Sequence, residues 1–282
     1  PVVLIDRDQE AADKGKARSA RLMEDLVKKG RATEAEKEKL LSLITATPDY
    51  AALEGADLGI EAVFEDSDVK KEAIQKAEAF LKSSAIFASN TSTIPITSLA
   101  KNAKRPKNFI GIHFFSPVDR MMLVEVIRGR KTDEKALAVA MDYARAIRKT
   151  PIVVNDTRGF YVNRCVLRYM QEAYSMLAEG VPAPMIENAA KMAGMPVGPL
   201  ALTDETAIDL AQKIMKQTIR DLGEKAVDPR HMELIDTMVD KFGRHGRKNG
   251  KGFYDYPDKP AKKFLWPGLK DLYPQQDPER ID

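Results

Sequence analysis

The chain has a single cysteine, Cys165, among 282 residues, which excludes an internal disulfide framework and fits a reducing compartment. Histidine is almost as scarce: three are present, His113, His231 and His245, and with one thiol beside them no spacing points to a transition-metal site. No apolar run approaches the roughly 20 residues that cross a bilayer, and no basic start followed by an apolar stretch marks a signal peptide. The net charge of +3 is too small to argue for nucleic acid, and no basic cluster alternates with stacking aromatics. The expectation is a soluble, cytoplasmic protein with neither a membrane span nor a nucleic-acid partner.

What is present is ordinary globular composition, 44% hydrophobic and 31% charged, at a length that predicts two domains. Residues 1–155 alternate short apolar runs with helical stretches, the pattern of a parallel sheet with crossover helices. Strands are predicted at 2–5, 58–64, 85–88, 109–114, 122–127 and 151–154, with helices near 8–29, 33–43, 68–82 and 133–148. The run Val2-Val3-Leu4-Ile5 reads as a strand buried on both faces. A chain that opens on such a strand is expected to be a fragment or a processed product. From Asp156 onward the pattern turns helical, with helices predicted at 158–179, 184–193, 203–222 and 229–242. The boundary falls near 155, and the proline- and charge-rich stretch 257–282 reads as a tail, surface arm or linker.

Open α/β sheets bind ligands at the carboxyl ends of their strands, and several polar residues fall there. His113 ends an apolar run, and Glu125 follows inside the next one; an imidazole beside a carboxylate holds a general base in one tautomer. Alone, a histidine on an apolar strand is more often a satisfied core residue. His231 and His245 sit in charged surroundings and read as surface residues. Ser89-Asn90-Thr91-Ser92 offers small polar groups at a strand end, although such a run is usually just a hydrogen-bonded turn. Glu65 ends the second predicted strand. Asn163, at the start of a helix, reads on its own as a helix-end hydrogen-bonding residue. Asp6 ends the first strand, where a carboxylate can accept both hydroxyls of a cofactor ribose. The glycine loop that should precede it is missing, since the only G-x-G is Gly250-Lys251-Gly252, followed by Phe-Tyr-Asp rather than a helix.

Taken together, IFASNTST, NFIGIHFFSPVDRMMLVEVI, DTRGFYVNR and GRKNGKGFYDY, in that order, resemble the motifs of the 3-hydroxyacyl-CoA dehydrogenase family from Val2 to about Tyr256. Ser-Pro-Val-Asp after the histidine, and Leu265-Trp266-Pro267-Gly268-Leu269, resemble the dehydrogenase region of multifunctional fatty-acid oxidation enzymes. In those, an enoyl-CoA hydratase/isomerase domain precedes this region and a second helical repeat follows it. The resemblance implies an α/β fold: a Rossmann-like parallel sheet over 1–155 without its first strand and glycine loop, then an all-helical C-terminal domain over 156–256. It implies NAD as cofactor and oxidation of L-3-hydroxyacyl-CoA to 3-ketoacyl-CoA. His113 would be the base, Glu125 its orienter, and Ser92 and Asn163 the holders of the substrate oxygen. Asp6, Val63, Phe64, Glu65, Lys70, Ser92 and Ser116 would serve the cofactor, with Lys70 either pairing with Glu65 or meeting a phosphate. The implied partners are acyl-CoA, a second copy or a thiolase subunit, and a retained N-terminal piece that fills the missing strand. Two alternatives stand beside it: a non-catalytic fragment that binds acyl-CoA or a partner without holding NAD, and another β-hydroxyacid dehydrogenase, which would use a lysine base.

Overall fold

The computed structural model describes residues 1–281 and divides into two compact units, Pro1–Asn163 and the residues from Arg164 onward. The first unit opens with β1 (Val2–Ile5), α1 (Gln9–Lys28), α2 (Glu34–Ser42) and β2 (Ile44–Thr47). Both helices start at side-chain caps: Asp8 accepts from the Ala11 amide at 2.8 Å, and Thr33 and Glu36 form a reciprocal capping box. β1 and β2 pair in parallel as a separate two-stranded sheet. This corrects the expectation that β1 is buried on both faces: Val2 is 59% exposed and the next three residues are half-buried. Two strands have too little area to be covered from both sides, and α1 packs against Leu4 from one of them.

The larger sheet runs β3-β4-β5-β6-β7, built from β3 (Leu58–Glu61), β4 (Ile86–Ser89), β5 (Phe109–Phe114), β6 (Leu123–Arg128) and β7 (Thr150–Asn155). Between these strands lie α3 (Ser67–Phe80), the short α4 (Ile96–Leu99) and α5 (Glu134–Ala146). All pairings are parallel except β5 with β6, which is antiparallel. The link from 115 to 122 is too short for a parallel crossover, which needs about a dozen residues, so the chain must fold back. Alternate residues then face two cores. Phe87, Phe109 and Ile127 pack with Ile74, Ala77 and Leu81 around α3, whereas Ile86, Ile110, Ile112, Val124 and Val126 pack with Ala136 and Ala140 of α5. Each fully covered large side chain contributes on the order of 2–3 kcal/mol, so the central strands are the rigid part of this unit.

The second unit holds most of α6 (Val162–Ala178), then α7 (Ala183–Met192), α8 (Pro199–Thr206), α9 (Ile208–Leu222) and α10 (Pro229–Asp236), with a two-residue antiparallel pair β8 (Tyr254–Asp255) and β9 (Phe264–Leu265). The single helix predicted over 203–222 is broken at Ala207, whose φ is +77°. The break lets Asp204 bond the 253–254 backbone and lets the Ile208 amide reach the His245 carbonyl at 3.1 Å. The helix predicted to 242 ends in a π-helical turn, Thr237–Lys241. Composition made 257–282 a surface arm; instead Leu269 is 4% exposed, Trp266 stacks on the Arg244 guanidinium, and the Gln276 amide bonds the Gly180 carbonyl at 2.9 Å. No helix among the described residues is long and apolar enough to cross a membrane, and no group of three or more His, Cys, Asp or Glu there could hold a metal ion.

Candidate active site

The antiparallel return of β6 sets His113 opposite Glu125 as register partners. Nδ1 of His113 lies 2.8 Å from Oε2 of Glu125, and the two residues are 4% and 0% exposed. Oε1 of Glu125 accepts the amides of Tyr161 at 3.0 Å and Val162 at 2.9 Å. Burial pushes the Glu125 carboxyl up, but the His113 hydrogen bond and these two amides outweigh it and hold the group below the usual carboxylate range. An ionised carboxylate only accepts, so Nδ1–H donates to it, and in the neutral ring that leaves Nε2 as the nitrogen with the lone pair.

The amides reach Glu125 because the chain turns sharply just before them. Gly159 and Phe160 both have left-handed backbone, φ +74° and +52°. For phenylalanine that conformation costs on the order of 1 kcal/mol. It is held by the Phe160 ring, which is 1% exposed in the α3-side core and lies 5.8 Å from the His113 ring.

The 89–93 loop is organised from below by two carboxylates. Glu61, at the end of β3, accepts from the Ser89 hydroxyl and from Lys70 Nζ at 3.0 Å. Oε1 of Glu65 gathers the Thr91 hydroxyl at 2.7 Å, the Ser92 and Thr93 amides at 2.9 Å each, and the Thr93 hydroxyl at 3.0 Å. Desolvation raises the Glu65 carboxyl; these donors and Lys70 more than offset it and leave it below its ordinary value. The loop is tied sideways as well: Asn90 Oδ1 accepts the Phe114 amide at 2.9 Å, and Asn163 Nδ2 donates to the Ser92 carbonyl at 3.0 Å. His113, Glu125, Ser92 and Asn163 therefore sit in one hydrogen-bonded assembly at the carboxyl ends of β4 and β5.

The residues expected on the cofactor side divide. Asp6 is exposed at the end of β1, with Oδ1 accepting its neighbour Arg7's amide at 2.8 Å. Val63 and Phe64 follow β3, and Phe64 is 81% exposed. Ser116 is exposed just past β5. These groups fit the nucleoside parts of a dinucleotide: a free carboxylate oxygen for ribose hydroxyls and an apolar surface for a base. Lys70 does not fit a phosphate. It is 1% exposed, and its ammonium is taken by Glu61, by Glu65 at 3.4 Å and by the Val63 carbonyl at 3.3 Å. The pairing with Glu65 foreseen as one option is thus present, but Glu61 is the closer partner. Glu65 likewise turns its Oε1 inward to the loop.

Sequence reading missed Glu61 and Asp156. Glu61 carried no signal: in Leu58-Gly59-Ile60-Glu61 the apolar side chains fall at 58 and 60, and alternation puts the carboxylate on the opposite face. Asp156 entered only as the point where the pattern turns helical and as the first residue of the DTRGFYVNR motif, with no role of its own. His231 is corrected: read as a surface residue, it is 7% exposed, edge-on to Tyr174, with Nε2 2.8 Å from the Ser175 hydroxyl. Burial holds its pKa below the usual histidine value. In the same unit the 246–256 motif wraps a buried carboxylate. Asp204 accepts the amides of Phe253 at 2.8 Å and Tyr254 at 2.9 Å and the Tyr256 hydroxyl at 3.1 Å. Gly252 is required there, because a Cβ would lie 2.1 Å from Asp204 Oδ1. Burial pushes Asp204 up to about 6.

Against known families, residues 1–157 match the 3-hydroxyacyl-CoA dehydrogenase NAD binding domain, and residues 159–256 match the C-terminal domain of the same family. The chain belongs to the 3-hydroxyacyl-CoA dehydrogenase family. A fatty acid oxidation complex subunit alpha from Shewanella amazonensis is 43% identical over 261 residues, covering 91% of this chain and 36% of the relative. The chain thus spans just over a third of the length of the curated relatives it matches. Among solved structures, the (S)-3-hydroxybutyryl-CoA dehydrogenase from Ralstonia eutropha superposes with a TM-score of 0.82 at 36% identity, covering 91% of this chain and 90% of that one. A 3-hydroxybutyryl-CoA dehydrogenase from Escherichia coli K12 gives 0.81 at 31% identity, covering 93% and 56%. The α/β sheet with a following helical unit is the fold of this family, and its first domain is the NAD-binding one.

Proposed function

We propose that this chain oxidises L-3-hydroxyacyl-CoA to 3-ketoacyl-CoA with NAD, as the dehydrogenase portion of a multifunctional β-oxidation enzyme. The observation that carries the reading is the His113–Glu125 pair, a buried imidazole whose Nδ1 is held by an ionised carboxylate, which leaves Nε2 as the ring nitrogen able to act as base. When bound, NAD supplies the acceptor for the hydride that leaves C3. His113 Nε2 takes the 3-hydroxyl proton, and Glu125 stabilises the imidazolium that results. The Ser92 hydroxyl and the Asn163 amide hold the C3 oxygen as its charge develops. Asp6, Val63, Phe64, Ser92 and Ser116 hold the cofactor, and Glu65 and Lys70 act on it through the loop they brace. In the same reading residues 1–155 are the NAD-binding domain, 156–256 the C-terminal domain, and 257–282 an extension of the second unit. A cytoplasmic setting, and a second copy or a thiolase subunit as partner, belong to this reading as well.

NADH formation from 3-hydroxybutyryl-CoA tests it, with His113→Gln expected to abolish turnover; a fully active variant rejects the base. Calorimetric titration with NAD tests the cofactor half of this reading separately from turnover.

A further inference from the structure

We propose that Asp156 is a positioning residue for this reaction, which couples the Ser92 loop to the carboxylate that orients His113. The inference rests on the oxidation proposed above. Asp156 follows β7 directly. Its Oδ1 accepts the Ile96 amide at 2.7 Å, and its Oδ2 accepts both the Thr97 amide at 2.7 Å and the Thr97 hydroxyl. Further along the same segment, the Gly159 amide bonds the Thr93 carbonyl at 3.3 Å, and the Phe160 amide closes the turn on Thr157 at 3.0 Å. Tyr161 and Val162 then give their amides to Glu125, and Asn163 gives its side-chain amide to the Ser92 carbonyl.

Residues 156–163 therefore lace two parts of the site together. One side is the 92–97 loop, held at Asp156, Gly159 and Asn163. The other is Glu125, held between those points. Asp156 is the charged end of the lacing, and charge-assisted bonds to amides are the strong ones. Its anchor is itself fixed: Ile96 is fully buried over Gly111 of β5, where a Cβ would lie 2.7 Å from Ile96 Cδ1. A slip of the Asp156 end would carry the 161–162 amides away from Glu125 and Asn163 away from Ser92 at once.

A plain helix-start role for Asp156 at α4 would affect stability and nothing else, so the test reads the imidazole. Without its two amides Glu125 binds protons more strongly, which favours imidazolium. Asp156→Asn is nearly isosteric, but its amide cannot accept from Thr97. It is expected to lower kcat roughly 10- to 100-fold, the scale of an approximately 1 Å misplacement, with KM for NAD little changed. The acid limb of kcat/KM should move to higher pH. Independently of turnover, the His113 ring signal in NMR, assigned by its loss in His113→Gln, should titrate at higher pH in the variant than in the parent. Thr97→Val, which keeps the carboxylate and drops one donor, should shift the same signal in the same direction by less, and it decides the matter if Asp156→Asn does not fold. An unmoved His113 midpoint in a folded variant, or an unchanged kcat, overturns the proposal. A parent that makes no NADH sinks the proposed reaction instead, while the ring titration still judges Asp156.

Discussion

Asn163 reaches back across 71 positions to donate from Nδ2 to the Ser92 carbonyl at 3.0 Å, tying the segment that follows β7 to the loop after β4 within the first unit. A side chain that fixes the loop backbone also has its own amide fixed, and fixed donors are what a developing oxyanion needs. Asn163→Ala should therefore lower kcat by roughly 10²–10³. Steady-state NADH formation checks it. A variant that raises KM alone would make Asn163 a binding residue with no part in the transition state.

Glu125→Gln should lower kcat by roughly 10²–10⁴, because a neutral amide neither fixes the Nδ1–H tautomer nor stabilises imidazolium. The pH dependence carries a sign. The folded-state pKa of Glu125 is depressed, so its contribution to stability is present above the unfolded value and is lost as pH falls through the folded one. Chemical unfolding of parent and variant across the acid range should show the parent's advantage shrinking toward low pH; an advantage that grows there contradicts the assignment.

Lys70→Met leaves Glu61 buried without its cation. Breaking such a pair typically costs about 3–5 kcal/mol, so the melting temperature of the first unit should drop sharply. Glu61→Gln added to Lys70→Met should restore part of the loss. No recovery in the double variant would mean that the pair is not what Lys70 stabilises.

Asp204 gives a pH signature to the second unit. Its folded pKa, about 6, lies above the unfolded value of about 3.8, so its favourable contribution is full below the lower value and is lost as pH rises through the upper one. Relative to Asp204→Asn, which does not titrate, the parent should lose about 1 kcal/mol between pH 5 and pH 7.5. Urea midpoints of the two proteins at both pH values measure the difference, and a drift of opposite sign would falsify the raised pKa.

Much of this was legible in the residues. Period-2 and period-3.6 patterning located β3 to β7, α1, α3 and α5, and the apolar runs that carry His113 and Glu125 are long enough to read as strands. What escaped depends on contacts distant in sequence. β2 is four residues, two of them threonine, and is a strand only because β1 lies beside it. Ala207 breaks a good helical pattern because Asp204 is pinned to residues 253–254 and Ile208 to His245, neither of which helix propensity registers. Lys70 looks like a surface lysine until Glu61 is seen beneath it. Asp156 has no periodicity to betray it, since its partners lie 59 and 60 positions upstream.

One consequence of the double engagement of Glu125 concerns cost per turnover. In the proposed oxidation the imidazole gains and later sheds a proton. Oε1 is anchored to two main-chain amides and Oε2 faces Nδ1, so neither oxygen has to swing to meet the new charge. The electrostatic response is already in place before the proton moves. The reorganisation that solvent would otherwise undergo in every cycle was completed once, when the chain folded.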